Sequence, residues 1–326
     1  MAGMNTLNSG LLIRSEVWSN QLRDTLKDEL AAQRYVEWIS FPDGETLTIP
    51  SIGDMDVSDY EEDSAIEYTP LATGEFQFSI TEYVSSATYI TMKNRQDSQF
   101  ASRLEAMFVP KEERAILERL EMDILDQGQP GTPNGQTAGS LNNYNGEAHR
   151  WVGGATVNAK RTLGFEDFAA ARHALKRAKV PMTNLIAIVD PSVEFVFNTQ
   201  APTLDVTYNP MWDGIVSDGI ATGMRFSRNI YGFDIYTSDY LPRVAAGETI
   251  NGVASGANAV ANIFFSAAPD RKPWIGAWRQ MPKVDAEFNK DRQREEYVTT
   301  ARYGVKMQHP ENFVTVLSQD GMVVHD

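Results

Sequence analysis

The chain has 326 residues, of which 42% are hydrophobic and 22% are charged, and this length is enough for about two domains. Acidic residues outnumber basic ones by 44 to 29, so the net charge is −15, which argues against a sequence-reading nucleic-acid binder. Cysteine is absent, which excludes disulfides, thiolate metal sites and a cysteine nucleophile, and the chain lacks an apolar run of transmembrane length. We expect no signal peptide and no membrane partner.

Residues 11–36 predict an amphipathic helix at the N-terminus. Trp18, Leu22, Leu26 and Leu30 recur every four residues, a spacing that places them on one face of a helix, and charged residues occupy the other faces. Two interpretations fit this stripe. The helix packs on the core of its own chain, or it is an arm that docks on a neighbouring subunit.

A long acidic β-hairpin is predicted next. Residues 45–49 and 76–80 alternate polar and apolar side chains, Pro50 is expected to close the first strand, and a further β-rich run ends at Met92. The hairpin has no lysine or arginine after Thr46, and its nine carboxylates belong to Asp54, Asp56, Asp59, Glu61, Glu62, Asp63, Glu67, Glu75 and Glu82. Because unpaired carboxylates are costly to bury, we expect the tip to project into solvent or to lie on a basic surface of another chain.

A long helix is predicted over residues 97–127. Its two apolar stripes are separated by Pro110, which predicts a kink or a restart, and Gly128 is expected to stop the helix. The following stretch, 127–154, is rich in glycine, proline and asparagine. It predicts an irregular surface loop and a boundary between two regions.

The remaining chain has an α/β pattern. Residues 165–179 predict a helix with acids in the first turn and cations in the last, as the helix dipole favours. Residues 185–189 form a continuously apolar strand, and Asp190-Pro191 is expected to start a short helix that ends at Asn198. Further strands are predicted at 233–236, 261–266, 274–278, 284–288, 297–307 and 312–316. The fold class is therefore mixed α+β.

The sequence carries no clear motif for catalysis. Residues 153–160 contain a lysine but lack the glycine before it that a phosphate loop needs. Asp54–Ser58 begins like a calcium loop but has no glycine at the sixth position and no glutamate at the twelfth. The four histidines are scattered, and no spacing selects a pair of carboxylates as acid and base. We predict no catalytic, metal or cofactor site and therefore no enzyme, and an enzyme with an unrecognised carboxylate site is the weakest alternative.

Several segments resemble the major capsid proteins of tailed bacteriophages, which have the HK97-like fold. Residues 17–22, 47–54 and 57–60 look like the N-terminal arm and the extended loop (E-loop) of that superfamily. The rest of the chain resembles these proteins only in the pattern of its helices and strands. The helix that ends at Gly128 resembles the spine helix of these proteins, 232–238 a stretch of their axial domain, and 303–316 their closing strands.

The resemblance implies a particular division of the chain. It consists of an N-terminal arm (1–44), an E-loop (45–93), a peripheral domain (94–200) with the spine helix (97–127) and an irregular loop (128–160), a mainly axial region (201–290) and strands that return to the peripheral domain (291–326).

The resemblance also implies a function. Copies of the chain would self-assemble as hexamers and pentamers into an icosahedral shell around the double-stranded DNA genome of a tailed phage. This structural viral protein would be assembled in the host cytoplasm and located in the virion. Expected partners are a separate scaffolding protein, a portal protein at one vertex, a decoration protein and the packaged DNA, contacted non-specifically. The alternative is an encapsulin-type nanocompartment, which shares the fold and encloses enzymes.

Contacts between subunits are predicted for the acidic loop and for a later segment of opposite charge. Residues 271–306 hold nine basic residues against five acids, so they offer partners for the acidic loop, although a solvated face is the alternative. The predicted contact residues are Trp18, Leu22, Asp54, Asp56, Asp59, Glu61, Glu62, Asp63, Arg292 and Arg294. Some relatives crosslink an E-loop lysine to a neighbour's asparagine. Because residues 46–92 contain no lysine, we predict no such crosslink here.

Overall fold

The structure is a computed structural model that describes residues 30–40, 44, 46–52, 57, 59, 62–63, 73–97, 101–128, 143–144, 146–157, 160–200, 229–269 and 271–319. Within these residues the chain forms two larger β-sheets, four α-helices and several two-stranded ribbons.

The first sheet has four strands in the order β1–β17–β18–β4. Its strands are β1 (Val36–Ser40), β4 (Glu82–Thr91), β17 (Trp274–Asn289) and β18 (Arg294–Met307). β1 lies parallel to β17, and the other pairs are antiparallel. β17 merges two strands that the sequence predicts separately, because register shifts between Trp278 and Lys283 absorb the irregular residues in a bulge.

Two helices follow β4. The short helix α1 (Met92–Asp97) precedes the long helix α2 (Ala101–Leu125), and a 3-10 turn, Asp126–Gly128, ends the helical segment. The predicted long helix is therefore present, although its start is a separate short helix. Pro110 is exposed and lies inside α2, which continues across it.

Polar contacts fix α2 on one face of the four-stranded sheet. The Thr299 hydroxyl donates to the Glu112 carboxylate at 2.6 Å, and the Tyr303 hydroxyl donates to Asp123 at 2.6 Å. Both donors lie on β18, so the two bonds fix the position of α2 along this strand. The opposite face of the sheet is left for other contacts.

The second sheet has seven strands, six of them in the order β11–β12–β10–β16–β19–β7 and one, β13, paired with β16. The strands are β7 (Arg150–Val152), β10 (Leu185–Val189), β11 (Asn229–Ile230), β12 (Phe233–Thr237), β13 (Arg243–Val244), β16 (Ala259–Ser266) and β19 (Val314–Gln319). β10 is buried along its whole length, parallel to β12 and antiparallel to β16. Its continuous apolar run correctly predicts this central place.

Helices α3 (Phe165–Arg177) and α4 (Pro191–Gln200) pack on one face of this sheet. The Phe168 ring meets those of Phe197 and Phe264 edge to face, with centroids 5.4 and 5.0 Å apart. Asp190 caps α4, since its carboxylate accepts a 2.9 Å hydrogen bond from the Ser192 backbone N–H. The predicted helix–strand–helix segment is thus confirmed.

Four two-stranded ribbons complete the described elements. They pair β2 (Thr46–Ile52) with β3 (Thr73–Ser79), β5 (Asn143–Tyr144) with β6 (Glu147–Ala148), β8 (Ala155–Val157) with β9 (Lys160–Thr162), and β14 (Thr249–Ile250) with β15 (Val253–Ala254).

A continuous apolar core joins the two sheets. Leu120 and Ile124 of α2 and Trp274 of β17 share one buried cluster with Ile188 and Ile263 of the seven-stranded sheet. Because these side chains are removed from water together, the two sheets stabilise each other rather than forming separate units.

Two predictions for the N-terminal part are wrong. The predicted helix does not reach residue 36, because Ala32–Tyr35 is a 3-10 turn and β1 begins at Val36 to pair with β17. Residues 11–29, with Trp18 and Leu22, lie outside the described residues. Pro50 does not close its strand, since β2 continues to Ile52; a two-stranded ribbon leaves one edge unpaired, where proline is tolerated.

The irregular loop predicted for 128–160 is also wrong where the structure describes it. The described residues between 143 and 157 include four short strands, and one of them, β7, extends the seven-stranded sheet beside β19. The Arg150 guanidinium is fully buried and forms two 2.6 Å contacts with the Glu248 carboxylate. This long-range ion pair fixes a segment that looks like a loop in sequence.

The strand pairing groups the chain differently from the predicted division. The prediction places 165–200 with the long helix and 291–326 in strands that return to it. In the structure β10 and β19 lie in the seven-stranded sheet, whereas β17 lies in the four-stranded sheet. Strand partners are chosen over long sequence distances, which local patterns do not encode. Which sheet faces the axes of a shell stays a prediction.

Candidate assembly surfaces

The acidic E-loop starts from a β-hairpin whose root packs on the four-stranded sheet. Thr46 lies opposite Ser79 and Ile52 opposite Thr73, so β2 and β3 pair along their whole length. Phe78 of β3 is buried against Ile275 and Ala277 of β17, and the cluster is completed by half-buried side chains. The members of that second set are Ile39, Leu47, Ile49 and Phe76. The alternation predicted from sequence therefore gives the hairpin one apolar face, and that face anchors it.

Two cations from β17 and β18 hold the same root. Arg279 donates to the Gly44 backbone carbonyl at 2.8 Å, and Lys306 donates to that of Gln77 at 2.9 Å. The Lys306 ammonium also lies 5.1 Å from the centroid of the Phe76 ring. Together these bonds restrain both strands where they leave the body of the protein.

Gly304 of β18 lets the hairpin approach closely. A Cβ atom at this position would lie 2.7 Å from the Ser79 carbonyl oxygen and 3.0 Å from the Ile80 Cα. Both neighbours are backbone atoms, so they cannot move aside by changing a rotamer. The place where the hairpin crosses the sheet thus requires glycine.

The structure describes only part of the acidic tip. Asp59, Glu62 and Asp63 are exposed, and Asp63 adopts a left-handed backbone conformation with φ of 70° in a turn. Asp54, Asp56 and Glu61 lie outside the described residues. Among the described residues, no ion pair joins these carboxylates to Arg292 or Arg294. The charge pairing between subunits stays a prediction.

Arg292 and Arg294 lie at the far end of the β17–β18 hairpin. Arg294 forms a 2.6 Å ion pair with Glu296 and stacks 4.3 Å above the Tyr89 ring, so it already has partners in its own chain. The Arg294 guanidinium also lowers the pKa of the Glu296 carboxyl. Arg292 is exposed in the turn and is the more available of the two cations.

The N-terminal arm joins the body at a buried carboxylate. Glu121 of α2 is fully buried and accepts hydrogen bonds from the backbone N–H groups of Ala31 at 2.8 Å, Ala32 at 2.6 Å and Gln33 at 3.3 Å. These bonds set the direction in which the chain enters β1. Sequence reasoning missed this residue. In the sequence Glu121 looks like any other charged residue on a helix, because its hydrogen-bond partners are 88 to 90 residues away.

Burial shifts the acid–base properties of two carboxylates near the end of α2. Desolvation raises the pKa of Glu121 above its usual value, and the three backbone N–H donors only partly offset this effect. Desolvation likewise raises the pKa of Asp123, against the hydrogen bond from Tyr303. Asp123 belongs to the contact between α2 and β18, and Glu121 belongs to the contact between α2 and the turn before β1. Their hydrogen bonds to backbone N–H groups and to Tyr303 support the packing of α2 in the described part of the chain.

No group of three or more histidine or acidic side chains among the described residues is arranged to hold a metal ion. A shallow groove of 390 Å³ lies between β4 and α2 and is lined by Glu82, Val84, Ser85, Ser86, Ala115, Ile116 and Arg119. None of the helices that the structure describes has the length and apolar character needed to cross a bilayer.

Solved phage capsids have the same fold. A chain from Mycobacterium phage Che8 superposes with a TM-score of 0.63 and 15% identity, covering 93% of this chain and 96% of that one. The capsid chain of cyanophage P-SCSP1u superposes with a TM-score of 0.67 at 10% identity, covering 98% of this chain and 96% of that one. A chain of the mature capsid of bacteriophage PhiM1 superposes with a TM-score of 0.66 at 13% identity, covering 95% of this chain and 93% of that one. No protein-family model and no curated protein matches the chain.

The fold is therefore that of the HK97-like phage capsid proteins, in the α+β class, as the resemblance predicts. The similarity spans nearly the whole of this chain and of each capsid chain, so it concerns the complete architecture rather than one shared motif. At 10 to 15% identity, the likeness establishes the fold.

Proposed function

We propose that this chain is the major capsid protein of a tailed phage. In this proposal its copies assemble as hexamers and pentamers into an icosahedral shell around double-stranded DNA. The observation that carries the proposal is the match to phage capsid chains over at least 93% of both partners. A binding module or an enzyme that had borrowed part of this fold would match over a smaller share.

The anchored hairpin supports this proposal. Its root is held by an apolar cluster and two cations, while its described acids are solvent-exposed in the single chain. A rigid base with an exposed, charged end suits a segment that reaches over a neighbouring subunit. The buried Glu121 gives the N-terminal arm an equally fixed point of departure.

The proposal includes partners beyond the chain itself. A separate scaffolding protein would guide assembly in the host cytoplasm, a portal protein would occupy one vertex, and a decoration protein could bind the finished virion. The packaged DNA would be contacted without sequence readout, in keeping with a net charge of −15. These partners follow from the class of shell that the fold suggests.

Sedimentation velocity on the purified full chain, alone and with a co-encoded scaffold, tests the proposal. We expect particles far larger than a small closed oligomer, because one chain must repeat many times to close a shell. A boundary that stays at the size of a dimer or tetramer under both conditions would favour the enzyme alternative. Nuclease-protected DNA inside the particles would favour a phage shell, and protein cargo would favour a nanocompartment.

A further inference from the structure

Helix α3 and the residues that flank it form a basic segment of this acidic protein. Residues 160–180 contain six lysines and arginines against two acids, whereas the whole chain carries −15. The exposed side of the helix and of the turn after it presents five basic side chains, which we call the α3 basic face. They belong to Arg172, His173, Lys176, Arg177 and Lys179.

The helix dipole explains only part of this face. Cations in the last turn of a helix stabilise it, which accounts for Lys176 and Arg177. Arg172 lies more than a turn before the end of the helix, and its guanidinium is held by a 2.7 Å hydrogen bond to the Tyr231 carbonyl. This bond positions a charge at the surface without neutralising it.

The acids that contact α3 leave the charges of Arg172 and Lys176 in place. Glu147 lies 3.5 Å from Arg177 and 3.8 Å from His173. Asp167 in the first turn is buried and accepts hydrogen bonds from the Trp151 indole and the Gly164 backbone. Its carboxylate therefore does not screen the cations, and Lys176 has no acidic partner among the described residues.

The spacing of the cations suits a polyanion. From residue 172 to the end of α3 at Arg177, a helical rise of 1.5 Å per residue spans about 7.5 Å, and Lys179 follows in the turn. Along one strand of DNA, phosphates recur about every 3.4 Å of helix axis, so several cations can contact successive phosphates. α3 exposes no large apolar side chain, whereas the core of a protein–protein interface is normally anchored by aromatic or aliphatic residues.

We propose that the α3 basic face binds the phosphate backbone of double-stranded DNA. This inference rests on the proposed function and deepens it, because it names the surface through which a shell subunit contacts the genome. The contact would be independent of sequence, since lysine and arginine contacts to phosphates position a protein without reading bases. The acidic loop of a second copy is the competing occupant.

Fluorescence anisotropy with a labelled 24-base-pair duplex tests the inference on the full chain. Arg172→Gln and Lys176→Gln, singly and together, remove cations from the face. Lys93→Gln with Lys111→Gln is the matched control, because both side chains are exposed on other helices, outside the α3 basic face and outside residues 271–306. Each lost phosphate contact should reduce the slope of log K against log salt by about 0.9 and weaken binding about fivefold at 0.15 M salt.

The expected result is duplex binding by the wild type, about 30-fold weaker binding by the Arg172→Gln, Lys176→Gln double variant and unchanged binding by the control. Equal losses in both double variants, or no binding by the wild type at 0.05 M salt, would overturn the inference. A synthetic peptide of residues 53–63 that displaces the duplex or binds in its place would assign the face to the acidic loop instead. Sedimentation of the same samples separates the two proposals: shells without DNA binding contradict only the inference, and small oligomers contradict the proposed function.

Discussion

The carboxylate of Glu121 accepts a 2.6 Å hydrogen bond from the backbone N–H of Ala32. The same carboxylate accepts hydrogen bonds from the backbone N–H groups of Ala31 and Gln33. One buried acid on α2 therefore satisfies three backbone donors just before β1 begins. Because buried N–H groups without partners are costly, this arrangement holds the entry of the N-terminal segment against the long helix.

Replacing Glu121 by glutamine should destabilise the protein. The amide keeps one acceptor oxygen but turns an NH₂ group toward backbone donors, and we expect a loss of about 1–3 kcal/mol in the free energy of unfolding. Urea denaturation followed by circular dichroism measures this change. Glu113→Gln on the exposed side of the same helix is the control and should stay within about 0.5 kcal/mol. Equal effects of the two variants would show that the Glu121 contacts carry no stability.

The same residue should give stability a defined pH dependence. Burial raises the pKa of Glu121 above its ordinary 4.5, so the folded state favours the protonated acid. Its stabilising contribution is therefore complete below pH 4.5 and is lost as the pH rises through the raised folded pKa. Denaturation at a series of pH values should show the free energy of unfolding of the wild type falling over this window more steeply than that of Glu121→Gln. Parallel curves would contradict the shift.

Gly304→Ala tests the close approach of the hairpin to β18. The added Cβ would meet the Ser79 carbonyl oxygen at 2.7 Å, so the hairpin root must move, at a cost of about 1–3 kcal/mol. Gly154→Ala is the control, because its Cβ would contact only the Asp167 carboxylate at 3.7 Å or more. Thermal unfolding measures both. Shell yield should fall for the first variant alone, and equal behaviour of the two would argue that the hairpin does not rest on β18.

Reversing the charge of Arg292 and Arg294 tests the predicted pairing with the acidic loop of another subunit. We expect Arg292→Glu with Arg294→Glu to block assembly while the chain still folds. Arg292→Glu alone is the sharper variant, since Arg294 already pairs with Glu296. Arg302→Glu, exposed on the same strand, is the control. Shells at normal yield from the double variant would rule the pairing out.

No covalent crosslink through an E-loop lysine is expected between subunits. Residues 46–92 contain no lysine to supply the amine. Particles boiled in detergent should therefore migrate as a single band near the monomer mass of 36.3 kDa on a denaturing gel. A ladder of multimers would contradict this prediction.

Local patterns predict much of the fold. The apolar run 185–189, the Asp190 cap and the alternation around Phe78 each fix a local element, and the structure confirms all three. The long helix after the hairpin is confirmed as well. These features depend on periodicity and capping, which neighbouring residues encode.

Long-range contacts account for what the sequence does not predict. Arg150 becomes part of a sheet edge through Glu248, which is 98 residues away in the chain. The supports of the candidate assembly surfaces have the same origin, since Arg279 and Lys306 bind backbone carbonyls more than 220 residues away. Sequence reasoning assigns such cations to a partner subunit or to solvent, because it cannot see a carbonyl as their partner.

The most direct test of the capsid proposal is negative-stain electron microscopy of the purified chain, alone and with any co-encoded scaffold. The proposal predicts closed shells tens of nanometres across, built from rings of five and six subunits. A field of small particles under both conditions would contradict it, whatever the fold resembles.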